Sequence, residues 1–368
     1  MKSRLKAFDT VLFATVLILL GIGIIMILSA SSHLGNLRYG SPYYFFVRQI
    51  IWATLGIAIM LFVSRIDYKL YKKYAKLIFA VSIGFLVLVL IPGVGSGEIR
   101  GAKRWIDLGF IDFQPSEIAK LAVIIYLSAR LSKNYKKLDK FFTGIFPNFL
   151  GVILVAVLLY LEPHYSALAI ICGISAILVF AAGAKIKYFV ICILTALPVG
   201  LLGIFIADYR ADRIFGFLNP WADPLDTGWQ VIQSLYAIGS GGVFGLGLGK
   251  SMQKYLYLSD AHNDFILAIV GEELGLVGMA LVIGLFITLA VRGIIIATKS
   301  KDMFAGLLAI GITVLISTQV ILNIAIVTGW FPVTGMPVPF LSYGGTSMII
   351  FSTMIGILLN ISRNVENL

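Results

Sequence analysis

Arg48, Glu117, Lys120 and Asp264 interrupt long apolar runs, and a charge within a bilayer costs roughly 2.5–3.5 kcal/mol unless it is paired or faces a wet cavity. Each is therefore a candidate for function. Glu117 and Lys120 are spaced i, i+3, which puts them on one helix face where they can pair. The plainer alternative is an ion pair that only fixes helix packing. Asp264 opens an apolar run, where the positive end of a helix dipole favours a carboxylate. By itself it would read as a helix cap; placed at one level with the other three, it suggests a site. Glu272 and Glu273 lie about 12 Å further along the same run at roughly 1.5 Å per residue, and adjacent positions diverge by about 100°. They cannot face one partner: one could line a cavity with Lys120, the other satisfy a helix end or a kink near Gly271 and Gly275.

Asp264 closes a long polar, aromatic and glycine-rich stretch that begins near Asp208. It contains Tyr209-Arg210-Ala211-Asp212-Arg213, Asn219-Pro220-Trp221, Gly228-Trp229-Gln230, a glycine run from Gly239 to Gly249, and Asp260-Ala261-His262-Asn263-Asp264. A loop of this length between helices usually carries function. Gly249-Lys250-Ser251 resembles the end of a phosphate-binding loop, but Phe244 stands where that loop requires glycine. The glycine run is better read as a close-packed or re-entrant segment. His33, His164 and His262 form no metal set; His262 is of interest only beside Asp264, a solvated loop histidine being the plainer reading. Cys172 and Cys192 read as buried small hydrophobes.

The elements that must position these groups are membrane helices. Residues are 59% hydrophobic and 13% charged, with a mean hydropathy of +0.97. Spans need about 20 apolar residues. Suitable runs fall at 10–31, 46–64, 74–92, 114–131, 145–161, 165–182, 187–207, 264–291, 303–326 and 341–362, predicting an all-α polytopic protein of about ten transmembrane helices in one integral membrane domain, 1–368. The run at 264–291 exceeds one crossing, so it is expected to tilt or overrun the bilayer. The first run is too long for a signal peptide and reads as a retained helix. Most of the 29 Lys and Arg residues lie in alternate connections, such as 65–76, 130–140, 185–187 and 292–301. These are expected to be cytoplasmic, with both termini, which places one large loop, about 208–263, outside. Topology then accounts for the net charge of +11 and leaves no case for nucleic-acid binding.

Ordered blocks along the whole chain resemble the SEDS family (shape, elongation, division and sporulation), which includes FtsW, RodA and SpoVE. They are Arg48-Gln49; Arg104-Trp105; Phe113-Gln114-Pro115-Ser116-Glu117; Asn219-Pro220-Trp221; Gly228-Trp229-Gln230; Ala261-His262-Asn263-Asp264-Phe265; Glu272-Glu273; and Pro332-Val333-Thr334-Gly335-Met336-Pro337 through Ser342-Tyr343-Gly344-Gly345. The outer loop is closer to the FtsW and SpoVE branch than to RodA. Two departures are Glu162-Pro163-His164-Tyr165, where many relatives have Gln-Pro-Asp followed by Gly, and Asn263 for the family's Thr.

The resemblance implies a peptidoglycan glycosyltransferase that polymerises lipid II at the outer face of the bacterial cytoplasmic membrane, with Asp264 as the essential acid. A glycosidase needs a second carboxyl to protonate its leaving group; an undecaprenyl diphosphate leaves readily, so one base suffices. Arg48, Lys120, Arg210 and Lys250 would stabilise the departing diphosphate, directly or with a divalent cation such as Mg or Mn. Glu117 would hold Lys120, and His262, Asn263, Glu272 and Ser342 complete the candidate substrate site. Implied partners are a class B penicillin-binding protein transpeptidase, with the eighth and ninth helices as the expected contact, other divisome or elongasome proteins, and membrane lipid. A lipid II flippase and a non-catalytic scaffold are the competing functions.

Overall fold

The computed structural model describes residues 8–91, 104–107, 109, 112–188, 190 and 216–365. Its elements are α1 (Thr10–Tyr39), α2 (Tyr44–Val63), α3 (Lys69–Leu90), the antiparallel pair β1 (Ile106–Asp107) and β2 (Asp112–Phe113), α4 (Pro115–Asn134), α5 (Phe146–Leu161), α6 (Tyr165–Ala181), α7 (Trp229–Gly241), α8 (Ile266–Thr298), α9 (Met303–Val327) and α10 (Gly345–Ser362). The protein is mostly helical, and among the described residues seven helical segments are long and apolar enough to cross a membrane: α1, α2, α3, α8, α9, α10 and the segment Phe141–Leu161 that ends in α5. The expected span at 187–207 lies largely outside the described residues, as do Arg210 and Cys192; every other expected run corresponds to a helix. Cys172 is exposed on α6, a correction to its expected burial: it lies on the outside of the bundle.

α4 is not among the seven, and its surroundings explain why. From Pro115 to Ala129 every residue is buried except Ile118, which is partly so, and α3, α5, α6, α9 and α10 all pack on it. A helix enclosed by protein has no lipid-facing side, so it can carry Ser116, Glu117, Lys120 and Ser128 without placing them in hydrocarbon. Pro115 starts it, where a missing N–H is harmless.

α8 is long, at 33 residues, and it is also broken. Gly275 adopts φ 66°, ψ −164°, and the glycine-rich run takes up the backbone groups that the break frees. Leu246 N and Gly247 N donate to the carbonyls of Glu272 and Glu273, each at 3.0 Å; Leu276 N and Val277 N donate to Gly242 and Val243 at 3.0 and 3.1 Å. Such an exchange satisfies groups that could find no water in a bilayer. It requires glycine on both sides. A Cβ on Gly275 would lie 2.3 Å from Gly245 N, and one on Gly245 2.2 Å from Glu273 O. The run is thus the close-packed segment its composition suggested.

Contacts gather the connections into two ends. At one, Arg292 Nε pairs with Asp9 Oδ2 at 2.7 Å, Asp9 N donates to Ser362 Oγ, and Lys72 approaches Asp302 at 3.7 Å. At the other, α7 docks through Ser234 Oγ on Val327 O at 2.8 Å, and Trp229 Nε1 donates to Tyr257 O at 2.7 Å. Asp264 lies at this second end.

Candidate functional site

Asp264 sits in a turn two residues ahead of α8, not within its first turn, because Phe265 is the capping residue. Phe265 and Ile266 are buried while Asn263 and Asp264 are half-buried, so apolar anchors pull the turn inward and leave the acid at a boundary. The segment between α9 and α10 encloses it. Asn323 Nδ2 donates to Asp264 O at 2.7 Å and to Met336 O at 3.2 Å. Ser342 Oγ donates to Asn263 O at 2.6 Å and accepts from Val338 N at 2.7 Å, and Tyr343 N donates to His262 O at 3.0 Å. Gln49 Nε2, from α2, donates to Ser342 O at 3.2 Å. Gly335 (φ 73°) crosses beside the carboxylate: a Cβ there would lie 3.5 Å from Asp264 Oδ2. Ser342, expected to bind substrate, spends its hydroxyl on fixing the turn.

His262 is not a solvated loop residue. It is 6% exposed, its ring 4.7 Å from Phe45 and 5.9 Å from Tyr343. Burial, with Arg38 adding and Asp260 opposing, pushes its pKa down to about 4, so it is a neutral packing element. Arg48 is exposed; its guanidinium lies 4.5 Å over the Tyr44 ring, and its charge opposes the burial that pushes the Tyr343 hydroxyl pKa up. That brings Arg48, His262, Ser342 and Asp264 around one short stretch of chain.

Glu117 and Lys120 pair at 2.7 Å with side chains 4% and 2% exposed. Their helix start is tied to the same region by Thr346 Oγ1 donating to Asp112 O at 2.8 Å. Glu272 and Glu273 go elsewhere, correcting the expectation that one lines a cavity with Lys120. Glu272 accepts from Ser251 Oγ at 2.5 Å and Met252 N at 2.7 Å. Glu273 accepts from Ser29 Oγ, Ser251 N and Gly249 N at 2.6, 3.1 and 3.0 Å, and pairs with Lys254 at 3.2 Å. Every oxygen is taken, because the break at Gly275 brings the loop 249–254 across α8. Lys254, overlooked in the sequence, is the buried cation here; Lys250 is exposed. Among the described residues no three His, Cys, Asp or Glu side chains converge on a metal-sized site, so no ligand set is assigned to Mg or Mn and no step is derived through one.

Several buried acceptors near Asp264 carry no hydrogen bond: Asn263 Oδ1, Asn323 Oδ1 and Thr334 Oγ1. A half-buried carboxylate on a turn fixed by Asn323 and Ser342 can accept a hydrogen bond from a hydroxyl and take its proton.

The chain is 41% identical over 364 residues to the "Probable peptidoglycan glycosyltransferase FtsW" of Geobacter sulfurreducens, covering 99% of this chain and 97% of that one. It is 42% identical over 365 residues to stage V sporulation protein E of Bacillus subtilis, 99% of each. Among solved structures it is similar to a chain from work on polymerization and crosslinking by a peptidoglycan synthase complex, with a TM-score of 0.79 and 25% identity over 97% of this chain and 98% of that one. It is also similar to rod shape determining protein RodA of Thermus thermophilus, with a TM-score of 0.69 and 25% identity over 98% of each. The FtsW/RodA/SpoVE family of cell cycle proteins matches residues 9–367, and the chain belongs to that family.

Proposed function

We propose that this protein is a peptidoglycan glycosyltransferase that polymerises lipid II at the outer face of the cytoplasmic membrane, with Asp264 as general base. The observation that carries the assignment of the base is the turn around Asp264. Its backbone is clamped by Asn323, Ser342 and Tyr343, while Gly335, with no side chain, passes beside the carboxylate. Asp264 takes the proton from the 4-hydroxyl of the acceptor GlcNAc as that oxygen bonds to the anomeric carbon of the donor MurNAc. The bond from that carbon to the diphosphate breaks, the electron pair leaves with undecaprenyl diphosphate, and inversion gives a β-1,4 link. Arg48, braced beside the turn, serves the departing diphosphate with Lys120, Lys250 and Arg210, the last lying outside the described residues. Glu117 holds Lys120 in place.

The outward orientation is supported by the Lys and Arg distribution, which puts the Asp264 end opposite the basic connections. A penicillin-binding transpeptidase is the proposed partner, consistent with likeness to a chain of a peptidoglycan synthase complex. The test is polymerisation of labelled lipid II by purified protein, with and without that partner. Wild type is expected to make polymer and an equally folded Asp264→Ala variant none. Polymer from Asp264→Ala would remove the base assignment. Lipid II crossing reconstituted vesicles without polymer would favour a flippase.

A further inference from the structure

The end of the bundle that carries the Lys72–Asp302 pair holds a cavity that the chemistry at Asp264 leaves unused. Its volume is about 230 Å³, and it lies where α3 begins, α8 connects to α9 and α10 ends. Lys69, Lys301 and Asn364 supply polar groups to its wall, while Ile361 and Val365 close it with apolar surface. α3, α9 and α10 are all long and apolar enough to cross a membrane. A cavity between their ends therefore lies at the polar boundary of the bilayer, at the depth of lipid headgroups.

The acid in this wall is already engaged. Asp302 Oδ1 accepts from Phe304 N at 3.2 Å, capping α9, and lies 3.7 Å from Lys72 Nζ. Lys69 forms no ion pair among the described residues, and Asn364 Nδ2 gives one N–H to Asn360 O at 3.2 Å and keeps a second. The wall therefore presents donors and positive charge, which calls for an anion. Its volume falls below the roughly 300–1,000 Å³ that a drug-sized ligand occupies, so it suits a headgroup better than a whole large molecule.

The outer surface of α3 indicates what that headgroup is attached to. Leu70, Tyr74, Leu77 and Val81 fall within about 60° of one another around the helix, and they are between 45% and 59% exposed, which makes a stripe for lipid chains. Lys69, Lys72, Lys73 and Lys76 fall within about 100° of one another on the adjoining flank. That flank faces the start of α9, because Lys72 Nζ reaches Asp302 and lies 5.5 Å over the Phe304 ring. A molecule whose chains lie on the stripe brings its headgroup to the lysines and the cavity. Basic pockets of this kind between membrane helices bind anionic lipid headgroups. We infer that the cavity between α3, α9 and α10 binds the phosphate of an anionic phospholipid, held by Lys69 and Lys301 with Asn364, its acyl chains running along Leu70, Tyr74, Leu77 and Val81. The bound lipid ties three helix ends together and does not depend on the reaction at Asp264.

The experiment titrates the full-length protein in neutral detergent with phosphatidylglycerol and reads retained lipid by native mass spectrometry. Phosphatidylcholine is the zwitterionic comparison and inorganic phosphate the soluble competitor, and thermal unfolding without lipid establishes that each variant is folded. A lysine near an anionic headgroup contributes about fivefold in affinity, so Lys69→Gln or Lys301→Gln should weaken retention of phosphatidylglycerol about 5-fold and the double variant about 25-fold. Asn364→Glu, at an exposed position in the wall, should weaken it at least as much as either single lysine variant. Lys133→Gln with Lys137→Gln, which removes two exposed lysines at the far end of α4, should bind within about twofold of wild type, because distant charges are screened. The inference is overturned if the Lys69, Lys301 double variant retains the lipid as wild type does, or if the Lys133, Lys137 pair loses as much. It is also overturned if phosphatidylcholine is held as tightly as phosphatidylglycerol. Ready displacement of the lipid by inorganic phosphate would make this a free-phosphate site and remove the lipid assignment.

Discussion

Replacing Lys254 by Met tests whether the loop ahead of Asp264 is held by charge. The ammonium and Glu273 are 4% and 0% exposed and 3.2 Å apart, and Lys254 also donates to Gly249 O at 2.5 Å and Ser29 Oγ at 3.3 Å. Methionine keeps most of the aliphatic volume but leaves Glu273 buried without its cation. Breaking a buried pair in this way costs about 3–5 kcal/mol. At about 2 °C per kcal/mol for a chain of this size, Tm should fall by about 6–10 °C. The double variant Lys254→Met, Glu273→Gln removes the stranded charge and should recover at least half of the loss. Thermal unfolding in detergent measures both, and polymerisation of lipid II reports whether the Asp264 turn loosens with the loop. The reasoning fails if Lys254→Met unfolds within about 2 °C of wild type, or if the double variant is no more stable than the single one.

Gly335→Ala forces an L-residue into the left-handed region at about 1–2 kcal/mol and sets a methyl 3.5 Å from Asp264 Oδ2. Polymerisation should fall at least tenfold while Tm moves by only a few degrees; an unchanged initial rate would show that this side of the carboxylate is not where the acceptor approaches. Lys120→Met should lower both Tm and rate by stranding Glu117. Glu117→Gln combined with Lys120→Met should restore much of the Tm but not the rate, and recovery of both would make the pair a packing device only.

Much of the fold was legible because a bilayer demands long apolar runs, and each described run became a helix. Where the reading went astray, the third dimension intervened. α4 carries charges because other helices enclose it, which hydropathy along one strand of sequence cannot report. The excess length of α8 was visible, but its cause is the exchange of backbone hydrogen bonds with residues 242–247, set by two glycines whose partners are distant in sequence. Glu272 and Glu273 were read as unable to face one partner, yet both accept from Ser251, because the loop 249–254 folds across α8 at its break. His262 looked solvated because its neighbours are polar, yet Phe45 and Tyr343 from other elements bury it.

The sequence by itself determined that the chain belongs in a membrane, that Glu117 and Lys120 share a helix face, and that Asp264 stands at the mouth of a helix. Those conclusions depend on local periodicity and the energetics of burying charge, both written in neighbouring residues. Only the tertiary structure decided which groups serve the site and which support it. It gave Ser342 and Asn323 to the backbone of the Asp264 turn, Glu272 and Glu273 to the loop 249–254, and Gly335 to the carboxylate. The physical reason is that a buried polar atom takes whichever partner the packed helices bring within about 3 Å, and that choice is made between segments far apart in the chain.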